Sequence, residues 1–76
     1  MSKEYVITNN IRTLRFFANE MTQLELAEKA GVSRQTIVAL EAGKYSPSLE
    51  MAFRIATVFN KEIGDVFEYK RLEDTK

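Results

Sequence analysis

The chain has 76 residues, a formal net charge of zero, and neither cysteine nor histidine. This composition excludes disulfides, thiolate metal sites, thiol nucleophiles and imidazole bases, and we expect no metal site. The longest apolar run, residues 37–40, is too short to span a membrane, and the start of the chain lacks the apolar stretch of a signal peptide. We therefore expect one cytoplasmic domain over residues 1–76, with its core within 9–67 and small enough to favour association with a second copy.

Helical spacing of apolar residues, with few glycines, predicts five short helices. The first runs over about 10–19 and is capped by Thr8 or Asn9. The second begins after Thr22, which opens a capping box, and ends at Gly31, where a left-handed backbone costs glycine little. The residues expected on the inner faces of these two helices are Ile11, Leu14, Phe17, Ala18, Leu26, Ala27 and Ala30.

The third helix is predicted to begin after Ser33 and to run to about Ala42, with Gly43 as its stop. Residues 46–48 open a fourth helix, which ends near Asn60 because asparagine tolerates the left-handed conformation. Apolar residues recur at Leu49, Ala52, Ile55, Ala56 and Phe59 on one face of the fourth helix, and at Ile63, Val66 and Phe67 in a final turn.

Two segments near the chain ends do not follow the helical pattern. Residues 5–7 and 66–69 are short and rich in β-branched and aromatic side chains. This composition favours their pairing as a small antiparallel ribbon that closes the ends of the chain. Two frayed termini fit the same residues equally well, so the sequence leaves both interpretations open.

The second and third helices are separated by only a few residues around Gly31 and Val32. A short glycine-containing turn between two short helices is typical of a helix-turn-helix motif, here over 22–42. The second helix of such a motif lies in the DNA major groove while the first crosses the backbone. Because any helical bundle contains such turns, the pattern alone fits a purely structural role as well.

Charge is distributed unevenly around this motif. Between residues 29 and 49, Lys29, Arg34 and Lys44 are opposed by Glu41 alone, whereas residues 60–76 are mildly acidic. A net charge of zero weakens the long-range attraction to nucleic acid, but a neutral protein with one basic face can still bind DNA.

The sequence from 11 to 67 resembles the Cro and phage-repressor type, or XRE family, of helix-turn-helix regulators. The similarity lies in IRTLR (11–15), MTQLELAEKAGVSRQTI (21–37), LEAGKYSPSL (40–49) and IA (55–56). It implies a compact, all-α, five-helix, lambda-repressor-like domain that binds double-stranded DNA. It further implies a transcriptional regulator, most often a repressor, acting as a homodimer on a palindromic operator. No cofactor or small-molecule ligand is expected, and the turn at 18–21 is one residue longer than the common form.

Helix geometry predicts which side of the third helix faces DNA. With Ile37 toward the core and a step of about 100° per residue, Glu41 falls near the inner side and Gln35 on the outer side. Gln35 suits a bidentate contact with adenine, and Arg34 suits guanine or a phosphate. Val38 suits a thymine methyl group or else packs against a neighbouring helix. The predicted base-reading residues of this recognition helix, over 34–42, are Arg34, Gln35, Val38 and Ala39.

Contacts to the DNA backbone are predicted beside the recognition helix. The resemblance implies that Gln23, at the start of the second helix, contacts a phosphate and that Thr36 joins it; a plain surface position for Gln23 stays open. Lys44 and Tyr45 follow the third helix, in the loop that family members lay against the backbone. An equal alternative for Tyr45 is that it covers the edge of the core.

The family pattern also implies a structural ion pair. It places an arginine late in the first helix, Arg15, opposite a glutamate late in the third, Glu41. The inward rotation of Glu41 agrees with this pairing. Arginine suits the position because its planar guanidinium holds a carboxylate through two hydrogen bonds.

A homodimer is expected to form through the last helix and the chain ends. These segments carry apolar residues that the helical core does not obviously need. A two-fold dimer places two recognition helices about 34 Å apart, which is one turn of DNA. The predicted interface residues are Tyr5, Val66, Phe67 and Tyr69.

Other functions fit the sequence less well. No nucleophile, glycine-rich phosphate loop or metal-ligand cluster accompanies the eleven carboxylates, so we expect no enzyme. The main alternative is an antitoxin-like interaction module that also binds DNA, but the polar tail over 70–76 is too short to wrap a toxin. A domain of this fold that has lost DNA binding is disfavoured by the presence of Gln23, Arg34, Gln35 and Lys44.

Overall fold

Five short helices and a two-stranded ribbon make up the part of the chain that the computed structural model describes, residues 4–72. The predicted five-helix architecture is confirmed, and the segments over 5–9 and 67–71 pair as a ribbon. In chain order the elements are β1 (Tyr5–Asn9), α1 (Ile11–Phe17), α2 (Gln23–Ala30), α3 (Arg34–Glu41), α4 (Leu49–Val58), α5 (Ile63–Val66) and β2 (Phe67–Arg71).

The ribbon joins the two ends of the chain. β1 and β2 pair antiparallel, with Ile7 opposite Tyr69. The rings of Tyr5 and Tyr69 stack on the ribbon with centroids 4.8 Å apart. At its inner end, the backbone N–H of Asn10 donates to the carbonyl of Val66 at 2.8 Å. The ribbon therefore holds α5 against the start of α1.

The core is apolar and draws on all five helices. No polar or charged side chain of residues 4–72 is fully buried, so the interior holds together by apolar packing. The buried side chains are Ile11, Leu26, Ala27, Ala30, Ile37, Leu40, Ala52, Ile55, Ala56 and Val66.

Two residues predicted on inner helix faces lie at the surface. Phe17 is 76% exposed and Leu49 is 68% exposed. Each lies six residues from a fully buried isoleucine of its helix, Ile11 and Ile55 respectively. Six residues correspond to about 120° around a helix, so a pattern of three-residue steps drifts off the buried stripe.

The predicted role of Val66 in a dimer interface is wrong. Its side chain is completely buried in the core of its own chain. The hydrogen bond from Asn10 to its carbonyl holds this turn against α1, and the side chain belongs to the buried core cluster. It is therefore unable to contact a second copy.

Local hydrogen bonds define the ends of the helix-turn-helix unit. The Thr22 hydroxyl accepts from the Glu25 amide at 3.0 Å, and the Glu25 carboxylate accepts from the Thr22 amide at 2.9 Å. The Ser33 hydroxyl accepts from the Thr36 amide at 3.1 Å and starts α3. The predicted capping box and serine cap are both present, and they fix where each helix begins.

The longer turn before α2 has an unusual backbone. Asn19 and Glu20 both adopt left-handed conformations, with φ of 63° and 57°. The Met21 amide then donates to the Arg15 carbonyl at 2.9 Å and closes the turn. The turn is thus closed by a backbone hydrogen bond just before α2 begins.

Gly31 is required by the backbone between α2 and α3. Its φ is +76°, and a Cβ built there lies 3.2 Å from Nη1 of Arg54. Replacing Gly31 with Ala is expected to lower the free energy of unfolding by about 1–2 kcal/mol, because a side chain disfavours the left-handed conformation. Urea denaturation measures this change.

Gly64 provides the matched control for that measurement. It lies in α5, and a Cβ there meets no atom within 4 Å. Gly64→Ala should leave stability unchanged or raise it by about 0.5–1 kcal/mol, since glycine is unfavourable within a helix. Equal stability of Gly31→Ala and the parent would contradict the backbone argument.

Candidate nucleic-acid interface

Helices α2 and α3 form one packed unit. The buried side chains of Leu26, Ala27 and Ala30 from α2 belong to the same core cluster as Ile37 and Leu40 from α3. Gly31 provides the turn between them. The side of α3 that faces away from this cluster is therefore presented in a fixed orientation.

The exposed side of α3 matches the predicted rotation. Arg34 and Gln35 are exposed in its first turn, and Ala39 is half-buried. Val38 is 39% exposed and does not belong to the core cluster, which favours the open side of the helix over packing against a neighbour. Glu41 is largely covered, as expected for the inner side.

The expected ion pair between Arg15 and Glu41 is present. Nε of Arg15 donates to Oε2 of Glu41 at 2.7 Å, and Nη2 donates to Oε1 at 3.1 Å. Nη1 of Arg15 donates to the Met21 carbonyl at 2.9 Å. The side chains are 15% and 10% exposed, so the pair is largely shielded from water. It ties α1, the turn before α2, and α3 together.

Gln23 joins this network. Its Nε2 donates to Oε1 of Glu41 at 3.2 Å. The side-chain amide has two hydrogens, so one remains free to donate elsewhere. Gln23 is half-buried, and its hydrogen bond to Glu41 gives its side-chain amide a defined direction.

The loop after α3 presents two of the predicted backbone-contacting residues. The amide of Lys44 donates to the Ala39 carbonyl at 2.9 Å, and its side chain is exposed. Tyr45 is partly exposed, and its hydroxyl donates to Sδ of Met51 at 3.3 Å. Tyr45 thus lies over α4 while part of its ring stays open.

Thr36, in the first turn of α3, is half-buried and shares a 2.9 Å hydroxyl–hydroxyl contact with Ser33.

Sequence reasoning missed Arg12. This exposed residue of α1 lines a concavity of about 550 Å³, together with Gln23 and Arg34. The signal was present, because Arg12 lies three residues before Arg15 and such residues share a helix face. Within residues 4–72, no carboxylate forms an ion pair with Arg12, Arg34 or Lys44.

The chain ends form a second notable surface. Tyr5 is exposed, Tyr69 is 69% exposed, and Phe67 is half-buried against the core. Ile7 and Ile63, which sequence reasoning did not select, line a shallow apolar groove with Phe67 and Tyr69. We call these five residues the chain-end surface.

Two further features bear on the type of site. No helix within 4–72 has the length and apolar character needed to cross a membrane. The same residues hold no group of three or more acidic, histidine or cysteine side chains placed to bind a metal ion. The two capped helices around a left-handed glycine, with a polar exposed first turn on α3, define a helix-turn-helix domain.

Comparison with known proteins agrees with this class. A family model described as helix-turn-helix matches residues 11–66. An uncharacterized HTH-type transcriptional regulator of Methanocaldococcus jannaschii is 52% identical over 62 residues, covering 82% of this chain and 92% of that protein. A second one, from Archaeoglobus fulgidus, is 57% identical over 53 residues, covering 70% and 75%. The chain belongs to the helix-turn-helix family, of the Cro and phage-repressor type.

A solved structure extends the comparison to the fold. The crystal structure of a putative DNA-binding protein from Bacteroides fragilis superposes with a TM-score of 0.71. It is 27% identical in sequence, and the match covers 83% of this chain and all of that one. The arrangement of helices is therefore shared well beyond the two motif helices.

Proposed function

We propose that the protein is a sequence-specific DNA-binding transcriptional regulator. The observation that carries this proposal is the exposed first turn of α3, where Arg34 and Gln35 stand on a helix held rigidly by the core and by the ion pair of Glu41. Gln35, Val38 and Ala39 then contact base edges in the major groove. Lys44, Tyr45 and Thr36 flank this face and contact the DNA backbone.

The proposed mode of regulation is repression by operator occupancy. A bound domain excludes other proteins from the same DNA, and this requires no surface beyond the DNA interface itself. A reporter gene placed behind the selected operator should fall in expression when the protein is supplied. A rise in expression would identify an activator instead.

The experiment that tests DNA binding is selection of bound sequences from a random DNA pool. We expect enrichment of a palindromic site whose half-sites are separated by about one helical turn. Titration of the enriched and scrambled sequences then measures specificity. A pool that remains random after selection would refute sequence-specific binding.

The palindromic site implies a homodimer, for which the chain-end surface is the proposed interface. Its side chains lie on the ribbon and the one-turn helix α5, where Tyr5, Ile7 and Tyr69 are exposed and Ile63 and Phe67 are half-buried. We expect the protein to sediment at micromolar concentration with twice the 8.8 kDa mass of the chain. Tyr69→Glu should shift it toward monomer, because burying an unpaired carboxylate at the interface is unfavourable.

Phe16→Glu is the matched control for that substitution. Phe16 is also exposed, but it lies at the end of α1 rather than on the chain-end surface. This variant should remain a dimer with an unchanged circular dichroism spectrum. A parent protein that stays monomeric, even on the selected operator, would contradict the homodimer.

A further inference from the structure

We propose that Arg12 and Arg34 grip a single DNA backbone phosphate in the concavity where α1, α2 and α3 meet. This inference rests on the proposed DNA binding and names a contact within it. The concavity, here called the phosphate pocket, has a volume of about 550 Å³. Its charged and polar lining includes Arg12, Arg15, Glu20, Gln23, Arg34 and Glu41.

The charge of the phosphate pocket favours an anion. Arg15 and Glu41 neutralise each other's charge through two hydrogen bonds, so together they add no net charge to the pocket. Arg12 and Arg34 are exposed, and within residues 4–72 neither forms an ion pair. Glu20 also lines the pocket, so one positive charge remains in excess. Two guanidinium groups that share a concavity repel each other until an anion lies between them.

The rotation of α3 assigns Arg34 to this pocket rather than to the base-contacting face. Arg34 and Glu41 are seven residues apart, which places them within about 20° on the same side of the helix. That side faces α1 and α2, because Glu41 is bonded to Arg15 and Gln23. Gln35 lies about 120° from Glu41 and points away from the pocket. Arg34 therefore contacts the DNA backbone, whereas its neighbour Gln35 contacts base edges.

The start of α2 supplies further donors to the same anion. The amide of Glu25 is satisfied by the Thr22 hydroxyl, and that of Leu26 by the Thr22 carbonyl. The amides of Gln23 and Leu24 have no acceptor within residues 4–72, as is usual for a first helical turn. Planar guanidinium groups bind phosphate oxygens in pairs of hydrogen bonds, and backbone amides complete such sites.

The first test is the salt dependence of DNA binding by the full chain on the selected operator. Arg12→Ala should reduce the slope of log affinity against log salt by about 0.9 per half-site. At 0.1 M salt the affinity should fall about eightfold per half-site, on operator and scrambled DNA alike. The reason is that the variant neutralises one phosphate fewer and releases about 0.9 fewer counterions on binding. Lys61→Ala, an exposed cation in the turn after α4, is the control and should leave the slope unchanged.

The second test locates the phosphate. Operators with one uncharged methylphosphonate per half-site are titrated against the parent, Arg12→Ala and Arg34→Ala. Both variants should become insensitive to the same position, at which the parent loses affinity. Sensitivity at two different positions, or a salt slope unchanged by Arg12→Ala, overturns the proposal. If Arg34→Ala instead abolishes discrimination between operator and scrambled DNA, Arg34 contacts a base and the shared grip is refuted.

Two further results distinguish a failure of the phosphate contact alone from a failure of the proposed DNA binding. A parent protein that binds no DNA at any salt concentration refutes both. Inorganic phosphate, compared with chloride at equal ionic strength, should raise the melting temperature far less than the operator does, because a free anion lacks the other contacts of the duplex. A stabilisation by inorganic phosphate that Arg12→Ala removes, together with a DNA salt slope that Arg12→Ala leaves unchanged, would assign the pocket to the free anion and overturn the DNA contact.

Discussion

Glu41→Ala is expected to lower the free energy of unfolding by about 3–5 kcal/mol, measured by urea denaturation. The substitution leaves the guanidinium of Arg15 largely shielded from water with only the Met21 carbonyl as a partner. The side-chain amide of Gln23 loses its acceptor as well. Removing one partner of a shielded pair costs far more than the pair itself contributes, because the remaining charge stays desolvated.

The exposed pair of Glu50 and Arg54 provides the control. These residues of α4 lie 2.9 Å apart at i and i+4, with side chains 76% and 50% exposed. Glu50→Ala should cost under about 0.5 kcal/mol, because water already solvates both charges. A Glu41→Ala protein that unfolds at the same urea concentration as Glu50→Ala would show that the inner pair contributes no more than a surface pair.

A double replacement separates the free-energy cost of leaving one charge unpaired from the stability that the ion pair itself contributes. Changing Arg15 to Met and Glu41 to Leu together removes both charges and keeps apolar volume at the site. The double variant should be more stable than Glu41→Ala, since neither partner is left desolvated. Loss of DNA affinity in a stable double variant would indicate that the pair also positions Gln23.

The boundaries of the helix-turn-helix were predictable because their signals are local. Thr22, Gly31 and Ser33 each act on the backbone within a few residues, so sequence alone places both ends of α2 and the start of α3. The partner of Arg15 lies 26 residues away and was named only through the family resemblance. Local patterns carry no information on which distant carboxylate a helix will face.

The features that sequence left open or assigned wrongly depend on packing between distant segments. The ribbon pairs residues near 7 with residues near 69, and no local pattern distinguishes such pairing from frayed ends. Val66 carries the same apolar character as an interface residue, and only its position between helix ends shows that it belongs to the core. Arg12 was overlooked because its significance comes from Arg34, which lies on another helix.

The other large effect is expected at Gln35. Replacing it with Ala should lower affinity for the selected operator by about 1–3 kcal/mol per half-site, because a bidentate contact to a base edge is lost. Binding to scrambled DNA should change little, since non-specific binding depends on phosphate contacts. Gln35 is exposed in the first turn of α3, and removing its side chain disturbs no contact of the core. Titrations on both DNAs measure the difference.

Lys44→Ala is the counterpart that separates base reading from backbone contact. Lys44 is exposed and lies beyond the last turn of α3, where we expect its ammonium to meet the DNA backbone rather than base edges. Its loss should weaken binding to operator and scrambled DNA by the same factor and flatten the salt dependence by about one unit per subunit. Gln35→Ala should leave the salt slope as it is, because a neutral side chain displaces no counterions. The contrary outcome is that Gln35→Ala preserves the ratio of operator affinity to scrambled-DNA affinity. That result would show that Gln35 does not read bases, and the exposed side of α3 would lose its assigned role even though the protein still bound DNA.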